Sequence, residues 1–598
     1  MILFFNNGIK VIVIFGEDFE KGFYDMASSL YEYIEISDLK DMLQKSGNLY
    51  GNNIAYKIKR NGEYLTFSHK EIRKMINGLG TALINMGLKN KRIAVIGENR
   101  FEWEIAYLAI ACGTGIVVPL DKSLPENELR NLIERSGVEA IFYTKKYENY
   151  LIKMKHEGVG RLKHLINMDL DMHTDGIYSE LELVQYGKNL VEDGNREFVD
   201  AKIDANTMGI MLFTSGTTSA SKIVALSHKN ICSNLMDIAS VLDINEHDVF
   251  LSFLPLHHVF ECTVGFLFSL YKGAQTVFAD GIRHIVENMN EYHVTVMASV
   301  PAIYERIFKI ISKQLENKKL KENILELEKK YKNASMDEKK EVFSEIHEML
   351  GGNVRLLISG AASLDPTIEE KYRRLGLNMV QGYGLTETSP VVAVGNKVFH
   401  RVGSVGKVVP HVKAKIVNAD KDGMGELVVS GPSIMLGYYQ NEEATREALK
   451  DSWFYTGDLA KIDKDGYIFI CGRKKSVIVL KNGKNIFPEE MENLLNRIEG
   501  IEESFVYGMP ISNDPNDLKI FAKLVYNEDV VKKAYKANDF DSVYDAIFQK
   551  VKEINKIMPP YKAIRGITIT KEPLIKTTTG KIKRNENLKK VLDNYEIK

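Results

Sequence analysis

The sequence predicts an α/β protein: a large N-terminal domain of parallel and mixed sheets carrying a small β-rich subdomain, then a small α+β C-terminal domain. Three observations point there. Short apolar strand patterns alternate with helical patterns from residue 27 onward, a rhythm that calls for crossover connections and parallel strands. After Val408 the strand patterns shorten and turn pairs crowd in, at Asp422-Gly423, Gly431-Pro432, Asp465-Gly466 and Asn482-Gly483. Beyond Gly472 two strand patterns and two helical patterns form what reads as a separate unit.

The chain has 598 residues, more than one hydrophobic core accommodates. With 44% hydrophobic and 27% charged residues it has the make-up of a globular protein, and a formal net charge of −1 gives no sign of a nucleic-acid partner. The cysteines, Cys112, Cys232, Cys262 and Cys471, lie far apart with no C-x-x-C pair. They read as reduced thiols of a cytoplasmic protein, with neither a disulfide framework nor a zinc site implied.

Taken in order, residues 1–25 read as a non-structural extension. The longest apolar run there, Val11 to Phe15, is too short to span a bilayer, and Glu17-Asp18 follows without a small-residue cleavage site. Met26 opens the large domain, 26–472. Leu65-Thr66-Phe67 ends a strand, and Ser68 with Glu71 has the spacing of a capping box. Buried strands are expected over 92–97, 115–120 and 140–144, with helices over 99–111 and 126–136 between them. The same alternation resumes with strands over 249–254, 274–278, 294–297 and 354–359. Residues 313–350 are charge-dense with apolar positions near helical spacing (Leu320, Ile324, Leu327, Tyr331), which predicts a solvated helical hairpin inserted between strands. The β-rich subdomain covers about 405–472. The C-terminal domain, 473–598, has strands near 503–508 and 520–526 and helices near 489–497 and 541–557.

Residues 211–228 read MLFTSGTTSASKIVALSH, and the rest of the chain is organised around them. Thr214-Ser215-Gly216-Thr217-Thr218-Ser219 is a run of small or hydroxylated residues followed closely by Lys222, lying between two apolar runs expected to be strands. Small residues let backbone N–H groups approach an anion, hydroxyls add donors and the lysine adds charge, so the loop reads either as a phosphate clamp or as a solvated Ser/Thr turn. No G-x-x-x-x-G-K-[ST] is present, which disfavours ordinary P-loop chemistry.

The loop resembles the signature of the adenylate-forming, AMP-binding superfamily, roughly [YF]-T-S-G-[ST]-T-G-x-P-K-G. Ser219 and Ile223 stand here where glycine is usual, and Ser221 where proline is usual. Further motifs follow in the family's order. Leu254-Pro255-Leu256-His257-His258 matches an L-P-x-x-H element and makes His258 a candidate wall of the acyl pocket. Ser359-Gly360-Ala361-Ala362 ends a strand, and Gly360 with Ala361 would let adenine lie against backbone. Gln381-Gly382-Tyr383-Gly384-Leu385-Thr386-Glu387 matches G-Y-G-x-T-E: an aromatic for the purine, a hydroxyl for phosphate, and in Glu387 a carboxylate for Mg²⁺. Asp458, after Tyr455-Thr456-Gly457, implies a double acceptor for the ribose hydroxyls. Arg473 would touch the ribose, and Lys475 occupies the hinge position. Gly580-Lys581 matches the lysine that the family carries into the active site from its C-terminal domain.

The resemblance implies ATP-dependent activation of a carboxylate to an acyl-adenylate, Mg²⁺ assisting, then transfer to CoA. Catalytic roles fall on Lys581, Thr386 and Glu387. The helical insertion is similar to that of bacterial long-chain acyl-CoA synthetases, which turns the substrate expectation toward a long- or medium-chain fatty acid. A carrier-protein thiol as acceptor, an aryl or amino-acid substrate, and a non-catalytic nucleotide-binding protein stay open. So do peripheral membrane contact, which a lipid substrate would suit, oligomeric state and chain length, for which 264–270 is one candidate wall.

Overall fold

The computed structural model describes residues 29–214, 221–314, 324, 326–481, 484–510, 517–577 and 580–593, with the backbone of three short strands ahead of residue 29. Two sheets make the large domain. The first has eight strands, ordered Ile177–Ser179, His164–Asn167, Ala140–Tyr143, Lys91–Ile96, Gly115–Pro119, Met208–Phe213, Ile223–Ser227 and Gly437–Tyr438. It is parallel as far as Met208–Phe213, and the last two strands join antiparallel. The second has nine strands, ordered Lys407–Val408, Val391–Val394, Met379–Gly384, Leu356–Ser359, Val296–Ser299, Val249–Ser252, Gln275–Phe278, Ile54–Arg60 and Glu63–Ser68. Its centre is parallel and both margins are antiparallel.

Parallel strands covered on both faces read as near-continuous apolar runs, and the middles of these strands do. Ile93 and Val95 face a shared core with Leu79, Trp103, Leu235, Phe250 and Ile358. Their neighbours Ala94 and Ile96 face the opposite way, onto Leu129, Ile133 and Leu151. In the second sheet Phe250, Val296 and Ile358 point into the shared core, while Leu251, Met297 and Leu357 meet Tyr304, Ile307 and Tyr372. The period of two along a strand thus gives each sheet two buried sides.

The helix Glu126–Ser136 has the expected bounds. The helix expected over 99–111 divides instead into Phe101–Ala109 and a wider turn Ile110–Thr114, because Gly113 adopts φ 145°. Ser68 Oγ accepts from the Glu71 amide at 3.3 Å and Glu71 Oε2 from the Ser68 amide at 2.7 Å, the reciprocal bonding its spacing predicts. In the region of the insertion, helices Pro301–Gln314, Met336–Val342 and Ser344–Met349 are described; residues 315–323 and 325 lie outside the described residues.

An antiparallel sheet follows, ordered Leu449–Lys450, Trp453–Ile462, Gly425–Ser430, Lys413–Val417 and Tyr24–Asp25, with Ile468–Arg473 also on Trp453–Ile462. The expectation of a non-structural extension over 1–25 needs correcting here. Tyr24–Asp25 is an edge strand of this sheet, and Ile2–Asn6 pairs antiparallel with Ile9–Val13. Asn7-Gly8 between two apolar runs is a strong hairpin signal in the sequence.

After Arg473 comes a three-stranded sheet, Ile501–Pro510, Leu518–Tyr526 and Ile564–Thr570. Helices Pro488–Leu495 and Phe540–Ile557 cover one face through Met491, Leu495, Val543 and Ile547, packed on Val506 and Leu524. Phe505, Tyr507 and Val525 face the other way, onto Leu574 and Val591. Among the described residues no helix is long and apolar enough to cross a membrane.

Candidate active site

One cleft of about 2930 Å³ collects the predicted residues that are described. Leu356–Ser359 and Met379–Gly384 are parallel neighbours with Ser359 opposite Gln381, so their carboxyl ends present Gly360-Ala361 beside Gly382-Tyr383-Gly384. The crevice outside the carboxyl ends of parallel strands is the usual ligand position in such sheets. Ala361 has φ 65°, turning the chain sharply at the strand end. Gln381 lines the cleft but donates its side-chain amide to Glu369 at 2.8 Å, and Glu369 also binds His400 Nε2 at 2.6 Å, so the Gln381 side chain braces the strand.

The two glycines flanking Tyr383 differ. A Cβ on Gly384 would lie 1.8 Å from the Pro390 carbonyl oxygen, whereas one on Gly382 meets ordinary contacts at 3.7 Å. Gly384→Ala is therefore expected to destabilise the protein by about 3 kcal/mol in denaturant unfolding, and Gly382→Ala by less than about 1 kcal/mol.

Tyr383 Oη donates to Asp458 Oδ2 at 2.5 Å, and Arg473 Nε donates to Asp458 Oδ1 at 2.9 Å. Asp458 and Arg473 are cross-strand partners, which is how a motif and a residue fifteen positions later meet. Burial raises the Asp458 carboxyl above its usual range, with Arg473 and Tyr383 opposing.

The strands Met208–Phe213 and Ile223–Ser227 pair antiparallel with Phe213 opposite Ile223, and Thr214 N donates to Lys222 O at 2.9 Å. This joins two strands through the loop, as the sequence predicts; Ser215, Gly216, Thr217 and Thr218 lie outside the described residues. Ile223 is buried in the core under Glu126–Ser136, and Ser221 Oγ accepts from Arg135 Nη1 at 3.3 Å. Two of the departures from the usual loop pattern thus have local partners. Lys222 Nζ stands 4.4 Å from the Tyr438 ring centroid, and Tyr438 Oη donates to Glu387 Oε1 at 2.8 Å. Thr386 and Glu387 line the same cleft.

Lys581 enters from the C-terminal domain. Its loop is held by Thr577 N donating to Lys581 O at 2.8 Å and Lys581 N to Thr577 Oγ1 at 3.1 Å, with Gly580 at φ 80°. The side chain is open to the solvent of the cleft yet walled by protein. Desolvation, then Arg473, lowers its pKa, and Asp458 and Glu387 oppose the shift. His258 also lines the cleft; burial, then Lys581 and His257, lowers it to about 3, so its ring is neutral near pH 7. Its Nδ1 accepts from the Phe260 amide at 3.3 Å. Ile238, Leu242, Phe260, Val264, Ile358 and Val391 give the cleft an apolar portion. Of the wall expected over 264–270, Phe266, Leu267, Phe268 and Leu270 point into the core instead.

Lys475 sits in the single turn Lys474–Ser476 directly after Ile468–Arg473, where the chain leaves the large domain. Arg497, beyond that turn, makes a two-pronged pair with Asp365 of the large domain, at 2.8 Å to each oxygen. Neither this pair nor Tyr438 nor Arg135 is foreshadowed in the sequence, because each contact joins residues far apart in the chain.

A double-sheet lobe, an antiparallel subdomain and a small α+β domain meeting over one cleft make up the architecture of adenylate-forming enzymes. An anthranilate CoA ligase solved with anthranoyl-AMP aligns with a TM-score of 0.73 at 18% identity, over 93% of this chain and 97% of its own. Residues 43–439 match the model of the family described as AMP-binding enzyme, and the chain belongs to that family. It is 27% identical to long chain acyl-CoA synthetase 1 of Arabidopsis thaliana, over 95% of this chain and 93% of the relative. It is also 27% identical to the long-chain-fatty-acid–CoA ligase of Salmonella typhimurium, over 92% of this chain and 93% of that protein.

Proposed function

We propose that the chain is an AMP-forming fatty acid–CoA ligase, which converts a long- or medium-chain fatty acid and ATP to acyl-AMP and pyrophosphate and then transfers the acyl group to CoA. The observation that carries the reading is the meeting of Lys581 with Asp458, Arg473 and Glu387 in a cleft that also has an apolar portion. The long-chain ligases named above, similar over more than nine-tenths of the chain, support the choice of substrate.

The first step brings two anions together, the carboxylate and the α-phosphate, so catalysis is mainly neutralisation and alignment, with no protein nucleophile. In this reading Lys581 donates to the attacking carboxylate and the α-phosphate. Lys222 and the hydroxyl loop hold the β- and γ-phosphates that depart as pyrophosphate. Tyr383 stacks on adenine against Gly360-Ala361, Asp458 accepts the ribose hydroxyls, and Arg473 steadies Asp458. His258, neutral, borders the acyl carbon without adding a further cation to Lys581 and Arg473.

Glu387 suits Mg²⁺, which takes one or two carboxylates and completes its shell with phosphate oxygens and water. The Tyr438 phenol occupies one Glu387 oxygen and leaves the other for the ion. When bound, Mg²⁺ supplies positive charge to the phosphate oxygens. Thr386 donates to phosphate.

Thiolysis needs access to the acyl carbon where Lys581 stands. Rotation of 473–598 about Lys475 would withdraw it, breaking the Arg497–Asp365 pair. A screen of thioester formation from acetate to oleate, with ATP, Mg²⁺ and CoA, tests the proposal. Turnover is expected to peak at medium or long chains; a preference for acetate or aryl acids, or acyl-AMP formation without CoA thioester, would overturn it.

A further inference from the structure

We propose that Tyr438 is a positioning residue of the nucleotide site, holding Glu387 with its hydroxyl and Lys222 with its ring, so that the magnesium-binding carboxylate and the phosphate-binding lysine keep one spacing. The inference rests on the ligase reading above for the identity of the nucleotide. The contacts are the 2.8 Å bond from Oη to Glu387 Oε1 and the 4.4 Å approach of Lys222 Nζ to the ring centroid. Tyr438 itself is 9% exposed, so both contacts are made by a side chain fixed in the wall.

The backbone around it is built for this. Gly437–Tyr438 adds to the strand leaving the phosphate loop, with Val224 opposite Tyr438 and Ala225 opposite Gly437. Leu436 N donates to Ala225 O at 3.0 Å, Tyr439 N to Ile223 O at 2.8 Å, and Met435 N to Glu387 O at 2.9 Å. Asn230, from the helix that follows the loop, donates to the Pro432 and Ile434 carbonyls at 2.7 and 2.8 Å. One short segment is therefore bonded both to the strand that follows Lys222 and to the turn carrying Glu387. Thr445 Oγ1 accepts from the Tyr438 amide at 2.9 Å and fixes the remaining side.

A lysine stem is flexible, and an aromatic face is what restrains its ammonium without cancelling its charge. A carboxylate that accepts from a phenol keeps its charge and loses rotational freedom. The arrangement therefore orders a cation and an anion that have no covalent reason to stay in register.

Tyr438→Phe keeps the ring and removes the hydroxyl; Tyr438→Leu removes both. Fatty-acid-dependent pyrophosphate release is measured against ATP, together with calorimetric binding of a non-hydrolysable Mg·ATP analogue. For Tyr438→Phe, kcat is expected to fall about tenfold with the KM for ATP and the analogue affinity unchanged. For Tyr438→Leu, the same fall in kcat is expected, joined by an approximately fivefold rise in KM and an approximately fivefold weaker affinity. Wild-type values in both variants would overturn the proposal. So would a fall in kcat and in binding stoichiometry with affinity and KM unchanged in both, since that marks a smaller folded fraction and a packing role. If wild-type protein binds the analogue but releases no pyrophosphate with fatty acid, the ligase reading fails. The affinity ratio of the two variants then still decides the role of Tyr438.

Discussion

Lys581→Ala is expected to lower adenylate formation by about 10²–10³-fold while sparing the conversion of supplied acyl-AMP to thioester. The asymmetry follows from the chemistry of the two halves. Joining a carboxylate to an α-phosphate needs a cation between them, whereas thiolysis of a mixed anhydride needs no such bridge and, in the proposed cycle, follows the withdrawal of Lys581. Lys581→Arg keeps the charge on a planar, bulkier head and is expected to restore little, because the cleft there also holds Arg473, whose charge adds to the desolvation that lowers the Lys581 pKa. The same lowering has a pH consequence. The ammonium loses its proton below the usual lysine range, so adenylation is expected to decline on the alkaline side before thiolysis of supplied acyl-AMP does. Equal loss of both half-reactions in Lys581→Ala would refute the division of labour.

Asp458→Ala is expected to reduce kcat/KM for ATP by about 10²–10³-fold, measured by initial rates at limiting ATP. The loss has two sources. The ribose loses its acceptor, and Tyr383 Oη and Arg473 Nε lose the carboxylate that now fixes both at 2.5 and 2.9 Å. The Tyr383 ring, proposed to stack on adenine, is then free to turn, and Arg473 beside Lys581 loses its carboxylate partner and is opposed by Glu387 and Glu489. Asp458→Asn preserves one acceptor and the volume, and an intermediate loss of about tenfold is expected. A wild-type KM for ATP in Asp458→Ala would remove the ribose assignment.

The core strands of the large domain were legible because burial on both sides leaves a plain signature: unbroken apolar runs such as Ile93-Ala94-Val95-Ile96, with alternate side chains divided between two cores. Local chemistry was equally readable at the Ser68–Glu71 cap. The two-strand setting of the hydroxyl-rich loop followed from its flanks. Single residues in short turns, such as Asp458, Glu387 and Lys581, carry no periodicity, and only their likeness to a known set of motifs singled them out. What stayed hidden depends on register and docking. Tyr438 reaches Lys222 because a two-residue strand adds to a hairpin more than two hundred positions earlier, and Arg497 meets Asp365 across the domain boundary. The edge strand Tyr24–Asp25 was missed because two residues give no pattern of their own. Ser221 and Ile223, odd as loop residues, make sense only once Arg135 and the core under Glu126–Ser136 are in place.

The proposed chemistry turns on the cleft joining a fatty carboxylate to AMP before any thiol takes part. Pyrophosphate–ATP exchange by the wild-type protein, run without CoA and with or without a long-chain fatty acid, addresses this directly. Exchange is expected to appear only with the fatty acid and to disappear in Lys581→Ala. Exchange that is absent, or that proceeds equally without the acid, would contradict the proposed chemistry.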